Sequence, residues 1–165
     1  MIYNNTWESM NATAIWANGI TGNGATFIDL NNHYITNNGT GCAAVYVLTS
    51  RVNGGVTSCS GNVFQTISAA NAQGYTSAND FAPTAQSTAT VGTGTNQTNM
   101  GSLFGPAFLE STTEACAYNS TNHTVSCPVI TVNNRPATGA WDAGAYISGR
   151  GAQPAAPTNL IATVD

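Results

Sequence analysis

An Asn-x-aromatic step recurs along the first part of this chain: Asn5-Thr6-Trp7, Asn32-His33-Tyr34 and Asn62-Val63-Phe64, spaced 27 and 30 residues apart. That period is too long for a heptad and fits one coil of a solenoid. A coil cannot bury its apolar face alone, so it must stack on neighbours. The runs Ala14-Ile15-Trp16, Ala25-Thr26-Phe27-Ile28-Asp29-Leu30 and Ala43-Ala44-Val45-Tyr46-Val47-Leu48 read as short strands, each bounded by Gly or Asn. In such a stack, side-chain amides at equivalent positions hydrogen-bond along the ladder, which gives Asn5, Asn32 and Asn62 a structural role. The aromatics at the same offset read as stacked core. A second reading makes Trp7 and Tyr34 a platform for a sugar ring, and core stacking is preferred to it.

Composition narrows the function classes. Charged residues are 6% of the 165, Lys is absent, Arg stands only at 51, 135 and 150, and the formal net charge is -4. Neutralising phosphates needs a basic patch, so a nucleic-acid partner is not expected, nor is an anionic membrane surface. A hydrophobic fraction of 42% argues against intrinsic disorder. The sequence has no run long enough to cross a bilayer and no leader-like start. Because the first coil signal comes within a few residues of Met1, the expectation is a chain that has lost a leader or begins inside a longer parent.

Three segments are expected: β-helix coils over 1–67, loop-rich final coils with a C-terminal cap over 68–150, and a linker with an isolated strand over 151–165. Residues 115–131 read as a hairpin whose polar turn runs from Asn119 to His123. The cysteines fall in two local groups, Cys42 with Cys59 and Cys116 with Cys127, and three pairings are formally possible. Local bridges are expected, each closing a loop and stabilising it by about 2–4 kcal/mol. Metal-type CxxC spacing is absent, and bridges imply an oxidising, secreted or cell-surface home.

From Asn134 onward the sequence runs Asn-Arg-Pro-Ala-Thr-Gly-Ala-Trp-Asp-Ala-Gly-Ala-Tyr, ending at Tyr146. This resembles the closing motif of secreted bacterial right-handed parallel β-helix proteins of the pectate-lyase-like group. The resemblance implies an all-β fold, a right-handed parallel β-helix of which this chain holds the last coils, with an irregular C-terminal cap and a disulfide-clamped hairpin. It also implies that Trp141 seals the apolar end, that Asp142 accepts backbone N–H bonds in the closing turn, and that Tyr146 belongs to the same cap.

Chemistry is far less legible. Asp29 and His33 are close in sequence, and two coils would bring Arg51 near them, so Asp29, Arg51 and His33 are the candidate catalytic set. A solvated strand face is the preferred reading of those three. Glu110 and Glu114 are partners only if the segment between them is helical. No spacing supplies a zinc site, so no metal and no cofactor are expected. The expected function is a non-catalytic extracellular β-helix segment that mediates carbohydrate contact or protein assembly. The alternatives are a β-helix polysaccharide lyase or glycoside hydrolase, and a filament-forming surface protein. The expected partners are a polysaccharide, or a second chain docked on exposed coil edges.

Overall fold

A computed structural model describes residues 2–9, 15–17, 27–39, 41, 46–48 and 56–148. The repeat forms three successive strand–corner–strand rungs. The first is β1 (Ile2–Tyr3) and β2 (Thr6–Ser9), continuing to β3 (Ile15–Ala17). The second is β4 (Phe27–Leu30) and β5 (His33–Thr36), continuing to β6 (Tyr46–Leu48). The third is β7 (Val56–Ser60) and β8 (Val63–Thr66). Parallel pairing stacks them as β1-β4-β7, β2-β5-β8 and β3-β6. The register aligns Trp7 with Tyr34 and Tyr34 with Phe64.

Each corner between the first two strands is turned by one residue with positive φ: Asn4 (52°), Asn31 (55°) and Gly61 (66°). Asn and Gly are the residues that tolerate this left-handed conformation. The ladder Asn follows directly, at 5, 32 and 62, so the repeating unit is a left-handed corner, an Asn and an aromatic two residues on.

The chain then leaves the strand regime. Thr66 caps α1 (Ile67–Ala72), its Oγ1 accepting the Ala69 amide at 3.1 Å. Turns of 3-10 type at Ser77–Asn79, Thr98–Met100 and Pro106–Leu109 follow, with α2 (Gly101–Phe104) among them. The antiparallel pair β10 (Ala117–Asn119) and β11 (Thr124–Ser126) forms the hairpin, and β9 (Glu110–Ser111) pairs with β12 (Asn133–Asn134). Cys116 and Cys127 are bridged as expected. Cys59 is also disulfide-bonded; Cys42, its expected partner, lies outside the described residues, as does the 151–165 segment.

The expected all-β right-handed parallel β-helix is therefore overturned. The protein is a mixed α/β domain with small, unclosed sheets of three, three, two, two and two strands among the described residues. The resemblance to pectate-lyase-like proteins falls with it. The physical reason lies at Thr66 and beyond. The third rung ends in a helix cap, and the next 82 residues supply helical turns and an antiparallel hairpin in place of further coils.

Packing centres on the second rung. Every residue from Asp29 to Thr36 is buried, because strands cover it on two sides and later segments cover its faces. One face packs Ile35 with Ala70 and Tyr75, flanked by Ile67, Phe81 and Ala89. Elsewhere Phe108 joins Tyr3 (ring centroids 4.3 Å apart), Phe104 (5.7 Å) and Trp141 (6.2 Å). A strap made of Thr90–Thr95 and Trp141–Tyr146 closes over the corners. Asn31 grips it in both directions: Nδ2 donates to Thr95 O and Oδ1 accepts Thr95 N, each at 2.8 Å. Gly144 N donates to Asn31 O at 2.7 Å.

Gly61 carries the closest approach between corner and strap. A Cβ there would stand 2.1 Å from Asn31 Oδ1 and 2.6 Å from Thr95 N, at a φ of +66°. Gly92 has a similar φ of +64° with nothing within 4 Å. Gly61→Ala is expected to cost about 3 kcal/mol or more, from backbone strain plus the clash, and Gly92→Ala only about 1 kcal/mol from strain. Urea midpoints of the two variants check this; equal losses would show that the corner–strap contact is not tight.

Candidate functional site

The densest polar cluster is built on the ladder Asn residues and converges on Asp29. Asn5 donates to Asn32 Oδ1 through both its backbone N (2.8 Å) and Nδ2 (3.1 Å). Asn32 N donates to Asn62 Oδ1 at 2.6 Å. Asn62 Nδ2 then donates to Asp29 Oδ2 at 2.8 Å and lies 3.2 Å from Asp29 O. Asn32 Nδ2 and the Tyr34 hydroxyl (2.9 Å) both donate to Asp29 Oδ1. Asp29 is fully buried. The Cys59 sulfur is 3.7 Å from Oδ2 but, being disulfide-bonded, has no proton to give.

Burial pushes the Asp29 carboxyl up to about 6, against the lowering pull of Tyr34, Asn32 and Asn62. Among the described residues no basic side chain contributes to that balance, so the charged form is held by neutral donors. Burial, and then the adjacent Asp29 carboxylate, raises the Tyr34 phenol well above its ordinary range.

His33 faces away from Tyr34, as its neighbour on the same strand must. Its Nε2 donates to Gln65 Oε1 at 2.7 Å, and its ring meets Tyr75 edge-on at 4.7 Å. Burial lowers its pKa to about 4, so it is neutral at ordinary pH. Asp29 and His33 thus serve separate networks on opposite faces of the rung. Arg51, the third member of the candidate catalytic set, lies outside the described residues. Tyr34 is fully buried and stacked on Phe64 at 5.3 Å, while Trp7 is 37% exposed. Glu110 opens β9 directly after a 3-10 turn, so it shares no helix with Glu114, whose carboxylate accepts the Thr112 hydroxyl.

A second polar centre holds the strap. Arg135 is buried, and its guanidinium donates to Asp142 O (2.8 Å) and Gly144 O (2.9 Å) and stands 5.5 Å over the Trp141 ring. Burial lowers its pKa to about 10, with Asp142 pulling the other way, so it stays charged. Trp141 is fully buried. Asp142 accepts Gly92 N and Ser148 N, each at 2.7 Å. The Tyr146 hydroxyl donates to Asp80, and burial followed by that contact raises its pKa. Sequence reading missed Arg135 as the strap's anchor and Asn31 as its clasp. The Arg-Pro and Asn-Asn dipeptides were visible, but nothing local tells which Asn turns the corner.

Comparisons with known proteins give no match among family models, curated proteins or solved structures. The expected β-helix segment for carbohydrate contact or protein assembly, and the lyase, hydrolase and filament alternatives, all rested on a β-helix solenoid. They are withdrawn with that fold, since this mixed α/β domain with unclosed sheets gives them no frame.

The two buried titrating groups have opposite effects on stability. Asp29 is raised from 3.8 to about 6. Below pH 3.8 native and unfolded chains are both protonated; as the pH climbs to about 6 only the unfolded chain ionises, and stability falls. His33 is lowered from 6.5 to about 4. As the pH drops from 6.5 to about 4 only the unfolded chain takes up a proton, and stability again falls. Each window, roughly two pH units wide, corresponds to about 3 kcal/mol. Their contributions nearly cancel across the overlap. Stability from these groups should be almost level between pH 4 and 6 in the unaltered protein. It should rise with pH in Asp29→Asn and fall with pH in His33→Gln, whatever the overall loss in each. Urea unfolding at a series of pH values reads the slopes; parallel profiles for the two variants would refute the assignment.

Proposed function

We propose that this domain is a protein-docking module that receives an extended segment of a partner along the β1–β2 edge. The carrying observation is that edge itself. Among the described residues, β1 and β2 each pair on one side only, and Trp7 stands 37% exposed at the end of the Trp7–Tyr34–Phe64 row. An unpaired strand edge is a template for main-chain pairing, and a half-exposed aromatic beside it supplies the anchor of such contacts. The rest of the polar chemistry supports a scaffold role. The Asp29 and Arg135 centres are both buried and direct their hydrogen bonds inside the fold, with Arg135 Nε left without a partner among the described residues. The Cys116–Cys127 bridge supports an oxidising setting, and with it a proposed cell-surface or secreted home.

A test needs only a generic strand-forming peptide of alternating Thr and Val. Added at millimolar concentration, it is expected to slow amide hydrogen exchange across residues 2–9 and leave the β10–β11 hairpin unchanged. Trp7→Lys, which puts a charge on the edge, is expected to weaken the effect about tenfold or more. Protection of the hairpin instead, or equal binding by Trp7→Lys, would remove the β1–β2 edge as the docking surface.

A further inference from the structure

Within the ladder, each Asn side-chain oxygen serves the rung before it. Asn32 Oδ1 accepts from Asn5, and Asn62 Oδ1 accepts from Asn32. Asn5 donates through its N and Nδ2, yet no described residue donates to Asn5 Oδ1. The corner beside it also holds an unserved oxygen on the first rung. Asn31 Oδ1 takes the Thr95 amide, whereas its counterpart Asn4 Oδ1 is buried with no partner among the described residues. For the buried Asn4 Oδ1 that lack carries a desolvation cost, whereas Asn5 Oδ1 is not enclosed in this way and is free to accept a donor. Both open acceptors lie on the same rung as the exposed Trp7 and the unpaired edge.

Resting on the docking reading above, we infer that the partner segment is itself a rung of this kind: a parallel strand–corner–strand carrying Asn two residues before an aromatic. The occupant follows from continuity with the ladder. A parallel strand added in the register of β2 on β5 places its own Asn so that its backbone N and Nδ2 both reach Asn5 Oδ1, as Asn5 reaches Asn32. Its aromatic then extends the row from Trp7. An extended peptide lacking the Asn pairs its main chain and leaves Asn5 Oδ1 unserved. Asn5 is thus the specificity-determining residue of the edge, and its ligand is a side-chain amide.

The test uses a synthetic peptide with the sequence of residues 27–36, the same peptide with Asn32→Ala, and the alternating Thr/Val peptide. Each is titrated against the full chain with exchange protection of residues 2–9 as the readout. The expected result is at least fivefold tighter binding of the unaltered rung peptide than of its Asn32→Ala form. That preference should vanish in Asn5→Ala protein, a double-mutant coupling that general apolar attraction does not produce. If all three peptides protect the edge equally, amide recognition is overturned and edge docking stands. If none protects it, both fall. If the Asn32→Ala penalty persists in Asn5→Ala protein, the amide is read elsewhere and the assignment to Asn5 fails. Asn5→Ala protein is checked first for a native hydrogen-exchange pattern in the β5–β8 ladder. If it does not fold, Asn5→Asp replaces it, keeping an acceptor at Oδ1 and predicting retained preference.

Discussion

The interaction on which the structure depends is the run of side-chain amides from Asn5 through Asn32 to Asn62, ending on the Asp29 carboxyl. A parallel stack has no tight turn to set its register, because successive strands are joined by long connections. Register must come from side chains. A carboxamide with a donor and an acceptor on one short stem does this, since a slip by one residue would turn each Asn to the opposite face. The ladder is polar, yet it is tolerated in the interior because its buried members, Asn32 and Asp29, find their partners. Such a network is costly only when part of it is missing.

Asp29 is where that logic is most exposed. A carboxylate placed out of water with neutral donors alone is unfavourable, so the group keeps its proton to unusually high pH. The same burial holds His33 without its proton. The second rung therefore carries two ionisable groups on either side of its corner, each with its uncharged form favoured by burial. It is an economical way to keep polar side chains inside a domain that has few charges of any sign to pair them with.

Sequence reading reached some of this and not the rest. The spacing of Asn5, Asn32 and Asn62 was visible because a single side-chain type must recur wherever an amide ladder forms. The hairpin and its Cys116–Cys127 bridge were visible because two cysteines flank a polar turn. The helix Ile67–Ala72 was not visible. At six residues it is under two turns, too short to display a period, and its Thr66 cap resembles any other Thr in a Thr-rich chain. Asp29 reads from the sequence as part of a solvated strand face, which would leave it in water. It is buried because the second rung is covered on both faces, a condition set by residues such as Tyr75 that lie far along the chain. The fold class was misjudged for a related reason. A repeat of three steps describes local pairing and says nothing of where the sheet must stop.

The strap has a kinetic consequence. Ala145 N donates to Thr6 Oγ1 at a sequence separation of 139. Contacts of such long sequence separation pay their loop-closure entropy before they return any stabilisation, and folds that rely on them form slowly. During synthesis, the first rung and its corner emerge long before the strap segment that finally encloses them. Until Trp141–Tyr146 leaves the ribosome, the Asn31 backbone oxygen and the Thr6 hydroxyl face solvent. A ribosome stalled before residue 141 would hold rungs that can already stack, without the latch that makes them one domain.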